Sequence, residues 1–239
     1  MIDLPSVIGH RGAAGLAPEN TLASFHAAAA RGLEMVEFDV RLTADLQPVA
    51  FHDDTLERTT NGVGAVALRD LAELKRLDAG SWFAPQFGGE RIATLDEVLL
   101  LCRELGLGVN MEIKPDHGRE VETARLALER AATLWPVSGR APLVSSFVGV
   151  CLTVARDLTP SWPRGLLVKA VPEDWRDRVA GFGCSTIHAD HRHLDPALVA
   201  VVAQAGYSVL AYTVNDGVRA GELLKMGVCS IFSDYPHSS

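Results

Sequence analysis

Residues 35–42 read Met35-Val36-Glu37-Phe38-Asp39-Val40-Arg41-Leu42, and this stretch decides the fold. Val36, Phe38 and Val40 share one face of an extended chain, while Glu37, Asp39 and Arg41 share the other. The apolar face suits packing against helices. The opposite face then turns two carboxylates toward an interior, where an unpaired charge is very costly. Residues 108–114 repeat the pattern, with Asn110, Glu112 and Lys114 on one face and Met111 and Ile113 on the other. Two strands with hydrocarbon outside and acids inside describe the wall of a barrel that carries a charged site.

Outward from these two segments, short apolar runs alternate with amphipathic ones, as in repeated βα units. The runs predict strands at Val7–Arg11, Met35–Leu42, Gly108–Lys114, Pro142–Phe147, Arg164–Lys169, Thr186–Asp190, Ser208–Asn215 and Cys229–Asp234. Helices are predicted at Glu19–Arg31, Leu95–Leu105, Arg119–Trp135, Val148–Leu158, Glu173–Ala180, Pro196–Ala205 and Gly217–Met226. Pro196 after Asp195 is a cap followed by proline at the first helical position. Gly32, Gly106, Gly206 and Gly227 each follow a helical run, where C-caps fall. Eight strands in 239 residues predict a single domain, 1–239, built as an α/β (β/α)8 TIM barrel rather than an open doubly wound sheet. Neither GxGxxG nor GxxxxGK[ST] occurs to support a nucleotide fold.

Two features interrupt the alternation. Pro48–His52 is an extra strand too soon after Leu42 for a parallel crossover, so it must return antiparallel as a hairpin. With Leu42 opposite Pro48, His52 falls opposite Phe38, beside Glu37 and Asp39. Residues 53–93 then show no strand pattern. They hold a short helix near Leu68–Leu77, several glycine turns and the aromatics Trp82, Phe83 and Phe87. A long irregular segment inside a compact domain is usually functional, and this one is expected to form a small lobe over one barrel mouth.

Hydrophobic residues make up 48% and charged residues 22%, which excludes a disordered chain. Thirty acidic against 22 basic side chains give a net charge of −8. That surface repels polyanions, so neither nucleic acid nor an anionic membrane is an expected partner, whereas a small anionic molecule is admissible where cations cluster. Cys102, Cys151, Cys184 and Cys229 form no CxxC pair and read as small hydrophobes in a reducing compartment. With no basic, apolar leader at the N-terminus, a cytoplasmic location is expected. Residues 196–215 carry no charge, but Pro196, Gln204, Gly206 and Asn215 break them into a helix and a buried strand rather than a membrane span.

Three inward carboxylates, Glu37, Asp39 and Glu112, suit a hard divalent cation, Mg²⁺ or Ca²⁺, rather than zinc. The plain alternative is a buried ion-pair network with Arg11, Arg41 and Lys114. His10-Arg11-Gly12 ends the first strand, where barrels place their active-site residues. Both His10 and His52 are predicted beside the acids. Phosphoester cleavage needs this set: cations for the phosphate oxygens, one imidazole to take a proton from the attacking oxygen, and one to protonate the leaving alkoxide.

His10-Arg11-Gly12, Pro18-Glu19-Asn20-Thr21, Glu37-Phe38-Asp39-Val40, Phe51-His52-Asp53 and Glu112-Ile113-Lys114 occur in that order. Ser145-Ser146-Phe147, Tyr212-Thr213-Val214-Asn215 and Ser233-Asp234-Tyr235-Pro236 follow. In these motifs the chain resembles the glycerophosphodiester phosphodiesterase family over nearly its whole length. The resemblance implies a barrel, a divalent metal, and hydrolysis of glycerophosphodiesters to glycerol 3-phosphate and an alcohol. It implies Glu37, Asp39 and Glu112 as metal ligands, His10 and His52 as the acid/base pair, and Arg11 and Lys114 as phosphate contacts. It also places Glu19 at the active-site rim, where the residues alone fit a helix cap equally well. Tyr212 and Ser233 stand where relatives often have tryptophan and threonine, and Tyr212 bears on the glycerol or alcohol pocket. Asn215 could bond a glycerol hydroxyl or cap the next helix. His188, His191 and His193 read as loop histidines, with His188 the one facing inward; His26, His117 and His237 receive no role. Two competing readings are a phospholipid- or phosphoinositide-cleaving enzyme on the same barrel and a non-catalytic phosphoester-binding barrel. The acidic balance and the lack of a secretion signal argue against the first, which Trp82, Phe83 and Phe87 leave open, and the presence of both histidines weighs against the second. A monomer and an oligomer both fit the sequence.

Overall fold

The computed structural model describes residues 2–136 and 139–236, so Met1 and His237 lie outside the described residues. In chain order the strands are β1 (Val7–Gly9), β2 (Met35–Leu42), β3 (Pro48–Ala50), β4 (Gly108–Ile113), β5 (Leu143–Ser146), β6 (Arg164–Val168), β7 (Thr186–Asp190), β8 (Ser208–Tyr212) and β9 (Ser230–Ser233). The helices are α1 (Leu22–Ala30), α2 (Leu71–Leu74), α3 (Leu95–Glu104), α4 (Glu120–Leu134), α5 (Gly149–Leu158), α6 (Trp175–Phe182), α7 (Pro196–Gln204) and α8 (Gly217–Lys225). β1 pairs in parallel with both β2 and β9, and this double pairing closes eight parallel strands into a TIM barrel. β3 stands outside the closed wall, antiparallel to β2, with Leu42 opposite Pro48 and Val40 opposite Ala50. Its ladder continues one step further, since the Phe51 amide donates to the Asp39 carbonyl at 3.1 Å.

The alternation in β2 sorts its residues as its chemistry requires. Outward, Phe38 meets Phe25 of α1 edge to face, with centroids 5.9 Å apart and both side chains fully buried. Burial of each ring is worth roughly 1.5–3 kcal/mol, and the edge contact adds about 0.5–1.5 kcal/mol. Inward, Met35 joins Ile8, Leu143, Leu210 and Phe232 to seal the barrel floor. Glu37 and Asp39 follow above that floor, toward the carboxyl ends of the strands. Helix starts are set locally. Thr94 and Glu97 form a reciprocal capping box on α3, and Asp195 accepts from the Leu198 amide at 2.8 Å ahead of Pro196 in α7.

Most elements begin or end a few residues away from the sequence expectation, β3 for instance ending at Ala50 rather than His52 and α2 spanning only Leu71–Leu74, and two of these shifts near the site have a visible backbone reason. β1 stops at Gly9 rather than Arg11, because Arg11 (φ 50°) and Gly12 (φ 86°) turn the chain. A side chain at Gly12 would collide with Ser24, its Cβ lying 2.3 Å from the Ser24 hydroxyl. α1 starts at Leu22 rather than Glu19, since Asn20 is also left-handed (φ 57°). β8 ends at Tyr212, short of Asn215. Residues 53–93 hold α2 and two single 3₁₀ turns, and they pack Leu56, Val66, Leu74, Ala79 and Ile92 against Val49 and Phe51 in a small core of their own. Among the described residues, no helix is long and apolar enough to cross a membrane. The four cysteines are free, three of them buried and Cys229 half-buried.

Candidate active site

β2 and β4 run in register, with Asp39 beside Glu112, and this brings three carboxylates together. Oxygens of Glu37, Asp39 and Glu112 lie within 4.8 Å of one another. Glu37 and Asp39 are only 3% and 1% exposed. Their protonation behaviour diverges for physical reasons. Burial, then repulsion from Asp39 and Glu112, pushes Glu37 well above the usual carboxylate range. Burial and Asp39 push Glu112 up to about 7. For Asp39, burial acts upward, but Arg11, Lys114 and His52 together with an Asn20 hydrogen bond outweigh it and hold the group at about 2.

Backbone geometry fixes these acids. The left-handed turn at Arg11 directs its amide to Glu37 Oε2 at 2.9 Å, while Glu37 Oε1 is buried without any hydrogen-bond partner. Asn20, also left-handed, donates from Nδ2 to Asp39 Oδ2 at 2.9 Å and accepts the Asp39 amide at 3.2 Å. Two non-glycine residues in the strained left-handed region, both on the acid cluster, are a known mark of functional sites. Arg11 Nη1 donates to Glu19 Oε1 at 2.6 Å, and its Nε lies 3.5 Å from Asp39. Lys114 Nζ lies 3.3 Å from Glu112 and 3.7 Å from Asp39.

The two histidines share a design. His10 follows β1, and its Nδ1 donates to Asp234 Oδ1 at 2.6 Å. His52 follows β3, and its Nδ1 donates to Asp53 Oδ1 at 2.5 Å. With Nδ1 engaged, each ring has Nε2 left for a ligand. Burial holds His52 below the ordinary histidine range; Asp39 opposes this, and Arg11 and Lys114 reinforce it. His10, Arg11, Glu37, His52, Glu112 and Lys114 line one cavity of about 220 Å³ with Asn110, Ser145, Phe147, Leu167, His188, Tyr212, Thr213 and Phe232.

Several residues have partners the sequence does not announce. Arg41, inward on β2, does not join the triad. Its Nε donates to the His52 carbonyl at 2.9 Å, and its other nitrogens bond Asp54 and Asp116. Glu19 is not a helix cap; it bonds Arg11 and Arg58. Asn215 neither meets the cavity nor caps α8. Its Nδ2 donates to Asp234 Oδ2 at 2.7 Å, its Oδ1 accepts the Asp234 amide at 2.8 Å, and Asp216 caps the helix. Tyr212 donates its hydroxyl to the Val168 carbonyl at 2.8 Å and sets its ring edge to face with Phe147. His188 is fully buried on the cavity wall, whereas His191 is half-buried and His193 exposed. Asp53, Asp234, Asn20 and Arg58 carry no periodic signal, although Asn20, Asp53 and Asp234 stand inside the motifs that carry the family resemblance.

The donor set fits a divalent cation. It is all oxygen, it converges, and one buried carboxylate oxygen lacks any partner. Acids, cations and two carboxylate-held imidazoles at the carboxyl-terminal mouth of a (β/α)8 wall define a barrel enzyme. Residues 10–238 match the glycerophosphoryl diester phosphodiesterase family, and the chain belongs to that family. It is 34% identical over 237 residues to a glycerophosphodiester phosphodiesterase of Caldanaerobacter subterraneus subsp. tengcongensis, covering 97% of this chain and 95% of that one. Among solved structures it is similar to an Oleispira antarctica phosphodiesterase in complex with the product sn-glycerol-3-phosphate. That match has 44% identity and a TM-score of 0.95, over 98% of this chain and 94% of that one. A glycerophosphodiester phosphodiesterase from Agrobacterium tumefaciens aligns at 29% identity and a TM-score of 0.80, over 98% and 97% of the two chains.

Proposed function

We propose that this chain hydrolyses glycerophosphodiesters to glycerol 3-phosphate and an alcohol, with His10 and His52 as the acid/base pair. The observation that carries the mechanism is the pairing of each histidine Nδ1 with a carboxylate while both rings line the cavity that holds Glu37 and Glu112. Glu37, Asp39 and Glu112 are the residues that would hold Mg²⁺ or Ca²⁺. Bound there, a divalent cation supplies positive charge against the phosphate oxygens.

The chain's own groups do the rest. Arg11 and Lys114 add fixed positive charge around the same phosphate, preorganised by Glu19 and Glu112. One imidazole takes a proton at Nε2 from the attacking oxygen, and the other delivers one to the departing alkoxide. Asp53 and Asp234 each engage Nδ1, so the neutral ring has Nε2 free to take a proton, while the other ring starts charged, stabilised by its aspartate, and carries at Nε2 the proton it delivers. Tyr212 and Phe147 give the cavity an aromatic wall against which the glycerol or alcohol carbons pack.

The test is release of glycerol 3-phosphate from glycerophosphocholine with added Mg²⁺ or Ca²⁺. Exhaustive chelation is expected to abolish turnover and lower the melting temperature, because a cation that binds only the folded site stabilises it. Full turnover in chelated protein would overturn the cation assignment. Absence of product from every glycerophosphodiester head group would overturn the activity.

A further inference from the structure

Arg58 belongs to no strand or helix, yet its guanidinium makes four hydrogen bonds. Nε and Nη2 donate to Asp53 Oδ2 and Oδ1 at 2.5 and 2.9 Å. Nη1 and Nη2 donate to Glu19 Oε2 and Oε1 at 2.7 Å each. One planar cation is thus forked on both edges. The two acids it clamps are not idle. Asp53 Oδ1 is the oxygen that receives His52 Nδ1, and Glu19 Oε1 is the oxygen that receives Arg11 Nη1.

The backbone at His52 is secured from another direction, by the buried Arg41 that donates to the His52 carbonyl. Arg41 fixes where the residue is. It does not fix how the ring turns about its side-chain bonds. Ring orientation depends on Asp53, and both oxygens of Asp53 are held by Arg58. Arg58 is 45% exposed, and its four bonds all end on the two acids it clamps, so what they set is the geometry of those acids.

We infer that Arg58 is a positioning residue for the hydrolysis, holding the His52 imidazole in its reactive orientation through Asp53. The inference rests on the two-histidine reading of the site. It also demands the guanidinium shape, because a lysine ammonium is a point charge that cannot hold two carboxylates bidentately.

The experiment compares Arg58→Gln and Arg58→Lys with the unmodified chain on glycerophosphocholine, at temperatures well below each variant's melt. Both are expected to lower kcat by about 10–100-fold, the scale of a mispositioned catalytic group, with a smaller change in KM. In an Asp53→Asn background, adding Arg58→Gln is expected to lower kcat no further, since the link is already cut. In a Glu19→Gln background the loss is expected to persist. A nitrophenyl diester separates the parent reading from this one. Arg58→Gln is expected to respond to that leaving group as His52→Ala does, and not as His10→Ala does. Wild-type kcat in Arg58→Gln, full rescue by Arg58→Lys, or a kcat loss that multiplies with that of Asp53→Asn would overturn the inference. If His52→Ala itself turns over at the wild-type rate, the two-histidine reading fails instead.

Discussion

His10 and His52 make the same bond to a carboxylate, but different parts of the chain build them. The aspartate that holds His10 is 224 positions away, at the end of β9. The barrel itself brings the pair together. β1 and β9 are paired strands, the His10 amide donates to the Ser233 carbonyl at 2.9 Å, and Asn215 clasps Asp234 from the β8 side. His52 is held by its immediate neighbour in sequence, and that neighbour by an arginine from the irregular segment 53–93. One imidazole therefore inherits the rigidity of a closed sheet. The other depends on the seating of an excursion from it. In the proposed two-histidine mechanism, one arm thus belongs to the wall and the other to an insertion.

Removing either imidazole is the largest break. His10→Ala and His52→Ala are each expected to lower kcat by about 100-fold or more, the usual worth of a positioned acid or base. The two losses are expected to combine less than multiplicatively, since in the proposed mechanism both groups serve one proton-transfer sequence. A nitrophenyl leaving group needs little protonation, so it is expected to rescue one alanine variant in part and leave the other slow. Steady-state rates on both substrates check this. Equal rescue of the two would erase the division of labour between the arms.

How far the two arms were legible in sequence follows from the same difference. Strict alternation in residues 35–42 and 108–114 marked the wall, because inward acids and outward hydrocarbon admit few other arrangements. The short return from Leu42 to Pro48 fixed the hairpin register, and with it the approach of His52 to Asp39. The clasps were not legible. Arg41 shares the inward face with Glu37 and Asp39, yet the length of its side chain carries the guanidinium to Asp54 and Asp116. Asn20 reaches Asp39 only through a left-handed turn, and Arg58 reaches Glu19 only through the path of an insertion without periodicity. Asn215 ends the motif Tyr212-Thr213-Val214-Asn215, but the strand stops at Tyr212 and leaves it facing Asp234.

A second break acts on the insertion alone. Leu74 is fully buried in the small core of residues 49–92, away from the barrel floor. Truncating such a leucine costs about 2–5 kcal/mol. Leu74→Ala is expected to loosen the segment that carries Arg58 while the eight-stranded wall stays folded. On heating, its hydrolytic activity should disappear before its far-ultraviolet dichroism, whereas the two coincide in the unmodified chain. Coincident loss in the variant would mean that the insertion and the wall melt as one unit.

The smallest expected effect belongs to the wall and is read through pH. His188 is fully buried, its ring tilted 46° to that of Phe232 with centroids 5.3 Å apart, and bonded at Nε2 to the Thr186 hydroxyl at 2.9 Å. Burial pushes it from 6.5 down to about 3, so it stays neutral in the folded protein. The unfolded chain takes up a proton there as the pH falls below about 6.5, while the folded protein resists until about 3. The contribution to stability is therefore complete above the upper value and declines as the pH drops through this window. One proton of difference is worth up to about 1.4 kcal/mol per pH unit. His188→Gln keeps a polar side chain and removes the titration. Its melting temperature is expected to fall less than the unmodified chain's between pH 6 and pH 5, by roughly 3–5 °C for a domain of this size. Burial also holds His52 below the ordinary histidine range, so His52→Ala is expected to reduce the slope in the same direction. Parallel melting curves for the unmodified chain and His188→Gln across that pH range would show that burial does not keep His188 neutral.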